Sequence, residues 1–405
     1  MKKRRTRVRR ALSAAILTMI FLLPKEDIRS IEKPSETQGS TVEVSLGPVI
    51  KVMEGGIFPY MFHSANGTLV VQGTFERSPS SEKPEPSEFG GIPHTVRSMD
   101  RGQTWQVWSP QPGQGEGPTI NNSPVQFKDG SLLIFHWIAE FKRDGLAIGK
   151  RWKSTDDWRT VTGPEDTRVE VPDGVGGGIG DNGLPYSTMW FHRSILELSN
   201  GDLIAGCYGW FKEDKTPSEY EPRMNRFRCF LVRSKDRGLN WKYVSTIAVD
   251  PMVGQEGFNE SALMRLSQGK HKGRLICIMR VGRKNPLHQA HSDDDGNSWS
   301  APRTLNLVGV DPDLIEMKNG VLVSSFGHKP DCNNDGNFLA FSLDQGDNWS
   351  QIVRLSSESE ITGAYTTVRE ISPGTLFVVY EVRDGTYDSP SRRILGRKVW
   401  VTLRK

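Results

Sequence analysis

The sequence predicts an all-β chain built from repeated hairpins. Three observations carry that prediction. Turn formers and tryptophan are abundant, with 41 Gly, 24 Pro and 11 Trp in 405 residues, and hydrophobic residues reach only 36%. The apolar runs are short and recur to the last residues of the chain, a pattern of strands rather than of a disordered chain or a polytopic membrane protein. Two short patterns then alternate along the chain, and self-similarity of that kind marks a repeat architecture. Neither a G-X-Y period nor heptads occur, which excludes collagen and coiled coil.

The first pattern is a turn followed by an apolar strand, G-x-L-φ. It occurs six times: from Asn66, Asp129, Asn200, Lys272, Asn319 and Pro373. Asn-Gly and Asp-Gly suit tight hairpins because both central residues tolerate positive φ. The second pattern, S-x-D-x-G-x-x-W, stands intact at Ser98–Trp105, Ser234–Trp241, Ser292–Trp299 and Ser342–Trp349, with a shortened form at Ser154–Trp158. The Ser ends a strand, the Asp binds turn amides, the Gly takes positive φ and the Trp packs beneath. These residues are read as structural.

The N-terminus reads as an export leader. Seven basic residues at positions 2–10 precede the apolar run Ala11–Leu23, which is shorter than the ~20 residues of a membrane-spanning helix. The expected division is a signal peptide over 1–24, a polar linker over 25–40 and one β domain over 41–405, exported to the periplasm or medium. Removing residues 1–24 takes away seven basic and no acidic residues and turns the net charge of +4 into −3. The basic balance therefore belongs to the leader, and nucleic acid and membrane are not expected partners of the mature chain, which is expected to be monomeric. Four Cys lack C-x-x-C spacing, so no zinc site is expected; Cys207 and Cys229 are either free thiols or a disulfide.

The four intact boxes resemble the Asp-boxes of the sialidase superfamily from about residue 41 onward. The resemblance implies a six-bladed β-propeller of four-stranded antiparallel blades, with Thr41–Leu46 lending a strand to the last blade. Counting back to one position before each G-x-L gives Phe58, Asn121, His192, Glu260, Asp311 and Tyr365; counting forward gives Thr74, Trp137, Tyr208, Arg280, Gly327 and Glu381. Polar and aromatic groups converging on one end of a ring suit a sugar site.

By resemblance, Tyr365 is the nucleophile, Glu260 its base and Arg280 one of three carboxylate-binding arginines. A neutral phenol can approach an anionic sugar carbon that a carboxylate would repel. The chain departs from the family where Ile57 replaces the first Arg and where GHKPDCNNDGNFLAFS lacks the third. The sequence therefore points to an exo-acting glycosidase on a glycan other than sialic acid. The alternatives are a non-catalytic glycan-binding propeller and a polysaccharide lyase. The family's acid, an Asp, is missing from a loop that offers Glu76, Glu82, Glu85, Glu88 and His94.

Each remaining candidate has two readings. Glu381, left without the first Arg, is an acid or base or a structural group, and Asp311 is a catalytic carboxylate or a turn former. His192 and Arg193 bind an anionic sugar or form a satisfied pair; Asn121, Phe58, Trp137 and Tyr208 complete the expected substrate contacts. Asp331–Gly336 is read as a hairpin loop rather than a calcium loop, since Ser342 stands where Glu is needed. No metal or cofactor is expected. The Gly-rich stretch 172–183 is read as a mobile rim loop, and the insertions 76–94 and 209–226 as walls of the site.

Overall fold

All six G-x-L runs form β-strands: Leu69–Glu76, Leu132–Phe135, Leu203–Phe211, Leu275–Arg280, Leu322–His328 and Thr375–Arg383. The computed structural model describes residues 40–76, 91–108, 124–180, 183–329, 335–386 and 391–404. The expected leader and most of the linker, Asn121 and the Asp331–Asn334 part of the calcium-like loop lie outside the described residues. Every regular element described is a strand.

Three sheets are four-stranded and antiparallel, running in chain order from Ile57–His63 to Gln106–Trp108, from Asn259–Arg265 to Arg303–Val308 and from Val310–Glu316 to Ser350–Arg354. A five-stranded sheet joins the two ends of the described chain: Thr41–Leu46 pairs antiparallel with Arg392–Arg404, from Thr41 opposite Arg404 to Leu46 opposite Val399. In each of these sheets the G-x-L strand is second. The strand before it forms the edge, and these edge strands contact one another from sheet to sheet.

Repeats two and three depart from separate four-stranded units. They share a ten-stranded sheet. Thr188–Trp190 pairs with Ile138–Glu140, and Arg168–Glu170 lies parallel to Asn240–Lys242. With the hairpin that joins Leu146–Ser154 to Thr162–Glu170, seven strands hydrogen-bond in a closed circuit.

The box chemistry is uniform. Ser98 Oγ donates to Asp100 at 2.7 Å and accepts from Gly102 N–H at 2.8 Å, while Asp100 accepts from the amides of Gln103 and Thr104. The same bonds recur at Ser234, Ser292 and Ser342. In the shortened box Trp158 takes the place of Gly, at φ 66°. The hydrogen bond from the Ser298 side chain, with further amide and hydroxyl donors, holds Asp294 down to about 2. Cys207 pairs in register with Phe230, and Cys229 with Tyr208. The one-residue offset puts the two thiols on opposite faces; both are buried and free, as is Cys277.

Each of these edge strands carries a bulge, and so does Thr188–Glu197 inside the shared sheet. The register slips between Ile57 and Tyr60, Phe191 and Ile195, Asn259 and Ala262, Val310 and Asp313, and Thr362 and Thr366. At these slips Phe58, Arg193, Glu260, Asp311 and Ala364 have φ of 52°, 35°, 37°, 49° and 74°. Bulges re-aim side chains, and non-glycine residues persist at positive φ only where the surroundings hold them there.

Buried ion pairs hold these bulges. Arg193 pairs with Asp311 and lies over the Tyr60 ring. Arg369 pairs with Asp313 and donates to Tyr60 Oη at 2.7 Å. Burial pushes the Asp313 carboxyl up, but Arg369, Arg193 and the Thr367 hydroxyl outweigh it and hold it below the ordinary value. A depressed carboxyl contributes stability that is present above its unfolded pKa and is lost as pH falls through the folded value. Asp313→Ala should cost about 3–5 kcal/mol in chemical denaturation, because Arg369 is left buried and unpaired. The variant should also lose part of the wild-type fall in stability below the ordinary aspartate range.

Candidate functional site

The bulges at residues 58, 260 and 364 bring side chains to one cavity of about 360 Å³. Glu260 is its centre. Its Oε1 accepts from Arg280 at 2.7 Å, its Oε2 accepts from the Asp311 amide at 3.0 Å, and Tyr365 Oη donates to Oε1 at 3.5 Å. Arg280 also donates to Glu256 at 2.8 Å, and Asn259 donates to the other Glu256 oxygen at 3.0 Å. Burial pushes the Glu260 carboxyl up; Arg280 and then His192 outweigh that and hold it below the usual glutamate range. Phe58 meets the Tyr365 ring edge-on, with centroids 4.4 Å apart.

Of the expected residues, Phe58, Tyr208, Glu260, Arg280 and Tyr365 line the cavity. Tyr208 stacks on Trp190 at 5.0 Å, and burial, then Glu260, push its phenol up, so it is a neutral wall. The other described candidates sit behind the lining. Asp311 is 1% exposed and is consumed by Arg193, with His192 Nε2 3.4 Å away. His192 Nδ1 is 3.1 Å from the Ser261 carbonyl, and Arg193 is 1% exposed. The positive φ at Arg193 turns its side chain to Asp311 instead of the cavity. Trp137 packs beside the cluster around Trp190.

Glu381 is also behind the lining. It is 0% exposed, accepts from the Phe58 amide at 2.8 Å and from Arg383 at 3.0 Å, and so positions both. A Cβ on Gly363 would fall 1.3 Å from Glu381 Oε1.

The sequence reading missed most of the cavity's charge. Arg283, Lys329, Arg383 and Arg392 line it with Arg280, against the carboxylates of Glu256 and Glu260. The expectation that one arginine remains for an anion does not hold for the cavity as folded. Lys329 comes from the run that lacks the third Arg. Arg383 follows Glu381 by two, hence on the same strand face, and Arg392 is its register partner. That period-2 relation was the available signal. Tyr186, Trp190, Tyr220, Met224 and Phe227 also line it. Tyr220 and Met224 belong to the 209–226 insertion. The stretch expected to be a mobile rim loop is packed over its described part, since a Cβ on Gly177 would lie 2.0 Å from the Trp210 ring.

The chain matches the family described as BNR repeat-like domain over residues 109–378. It belongs to that family. The BNR repeat-like chain has no match among curated protein sequences. In structure it is similar to a protein of unknown function from Dyadobacter fermentans, at 19% identity and TM-score 0.65, covering 89% of this chain and 99% of that one. It is similar to a Hadza microbial sialidase at 16% identity and TM-score 0.56, covering 85% and 65%. An alpha-L-arabinofuranosidase from Fusarium graminearum, bound to an iminosugar inhibitor, aligns at 11% identity and TM-score 0.56, covering 88% and 98%. These likenesses establish that the BNR repeat-like chain shares its fold with the sialidase and the arabinofuranosidase.

Gly363→Ala should lower the free energy of unfolding by about 1–3 kcal/mol, through overpacking against Glu381. In a Glu381→Ala background the same substitution should cost less, and a double-mutant cycle reads that coupling.

Proposed function

We propose that this protein is a glycoside hydrolase that acts on an acidic glycan, with Tyr365 as nucleophile and Glu260 as its base. The six G-x-L repeats support a six-bladed propeller in which the ten-stranded sheet supplies blades two and three. The observation that carries the reading is the Tyr365–Glu260–Arg280 chain in a cavity bordered by five basic side chains and two carboxylates.

In the first step the phenol proton passes to Glu260 and Tyr365 Oη bonds to the anomeric carbon. The bond to the leaving oxygen breaks, and that oxygen keeps the electron pair. Water then attacks the same carbon and releases a proton to solvent. Tyr365 leaves and takes back the proton from Glu260. An acidic substituent on the sugar pairs with the basic side chains, among which arginine supplies planar forks. The aromatic side chains cover an apolar sugar face. The sialidase and the arabinofuranosidase among the similar structures support glycoside chemistry on this fold.

Aryl glycosides test the reading directly, because their leaving group departs without an acid. Sialoside, uronoside and arabinofuranoside versions should be compared. Acidic glycosides should be hydrolysed in preference to the neutral one. Tyr365→Phe and Glu260→Gln should each lower kcat/KM by roughly 10²–10⁴-fold. Unchanged turnover in both variants would sink the catalytic assignment, and preference for the arabinofuranoside would sink the acidic one. Saturable binding of an acidic glycan with no release would favour a binding protein.

The pH profile has a defined sign. Glu260 acts as a base only when ionised, and Arg280 and His192 hold it ionised to lower pH than an ordinary glutamate. The acid limb of kcat/KM should therefore lie below the ordinary glutamate range. In Arg280→Met it should move to higher pH, because burial is then opposed by fewer charges.

A further inference from the structure

Lys329 is buried, 5% exposed, at the end of the second strand of its sheet. Its ammonium lies over the face of the Tyr365 ring, 4.2 Å from the centroid. It also donates to the carbonyl of Gly363 at 2.8 Å, two residues before Tyr365 on the same strand. Gly363 is itself fixed, because Glu381 fills the space where a side chain would stand. The cation and the phenol are therefore held to one piece of backbone.

We propose that Lys329 is a positioning residue that sets the ionisation of Tyr365, its ammonium stabilising the phenolate through the ring face so that the proton moves to Glu260 more readily than from an ordinary tyrosine. A neutral ring offers a cation only its quadrupole, whereas a phenolate spreads negative charge over the ring carbons, so the contact favours the ionised form. The inference rests on the proposed role of Tyr365 as nucleophile, and it supplies what that role lacks. An ordinary tyrosine and an ordinary glutamate differ by about six pKa units. Glu260 is held lower still, with Arg280, His192 and Lys329 all acting on it, so a lowered phenol narrows the gap that proton transfer must cross.

The charged groups facing Tyr365 are consistent with that. Glu260 opposes ionisation from Asn259–Arg265, with Asp311 behind it. Arg280 favours ionisation from Leu275–Arg280 and is coupled to the phenol. Glu381 and Arg383 from Thr375–Arg383 pair with each other, and Arg392 and Arg283 border the same cavity. Lys329 is the group placed over the ring face, 4.2 Å from its centroid.

The test is a tyrosine titration of the full chain, with tyrosine labelled at Cζ and followed by NMR, the Tyr365 signal being identified by its loss in Tyr365→Phe. Tyr365 should titrate at least one unit below an ordinary tyrosine. In Lys329→Met its midpoint should rise by a unit or more, a tenfold or larger drop in the ionisation constant, and Lys329→Arg should restore most of the shift. A wild-type midpoint at or above the ordinary value overturns the proposal, even if Lys329→Met fails to fold. So does an unchanged midpoint in a folded Lys329→Met. The titration needs no substrate. A low, Lys329-dependent midpoint without turnover of any glycoside would uphold this inference and count against the proposed hydrolysis; turnover with an unshifted Tyr365 would do the reverse.

Discussion

Glu260 accepts hydrogen bonds from its own sheet and from the next one at once. Its Oε2 takes the amide of Asp311, and its Oε1 takes the guanidinium of Arg280. Asp311 is pinned in turn by Arg193 from the shared sheet, and Arg280 by Glu256. One chain of buried charge thus runs from Arg193 to Glu256. A charge removed from water is costly unless paired, so each member needs its partner in place. The bulged edge strands have little freedom to relax their positive φ without breaking a pair.

That constraint explains the division between lining and backing. Arg193, His192, Asp311 and Asp313 are as chemically capable as Glu260, yet their polar groups are taken up between strands. Glu260, Arg280 and Tyr365 lie one layer nearer the cavity and keep a face toward it. Glu381 illustrates the same principle at the sixth repeat. Fully buried, it carries Arg383 on one oxygen and the Phe58 amide on the other, and so sets a basic side chain without touching the cavity itself.

The cavity lining has two unlike groups of side chains. Basic side chains come from strand ends of the fourth, fifth and sixth repeats, and aromatic ones from the third repeat and its insertion. The fusion of repeats two and three gives the aromatic group a firm base, since Trp190 sits at the strand pair that joins them. Its stack on Tyr208 and the packing of Gly177 against Trp210 leave little room for movement there.

The repeats themselves determined the strands and the turn chemistry of the boxes, because turn residues and period-2 alternation act locally; the pairing of Thr41–Leu46 with the C-terminal strand came from the resemblance, since it joins the two ends of the chain. Counting from each G-x-L was enough to bring out Glu260, Arg280, Tyr365, Phe58 and Tyr208. It could not separate Asp311 or His192 from them, because Phe58, Glu260 and Asp311 sit at the same kind of bulge and spacing does not show which of them a neighbouring strand takes up. Nor could it find Lys329, Arg383 or Glu256, whose roles come from strands far apart in the chain meeting around one cavity. Local sequence decides which residues form a strand; which charge is spent on a neighbour and which is left to face a ligand depends on distances that only the folded sheets set.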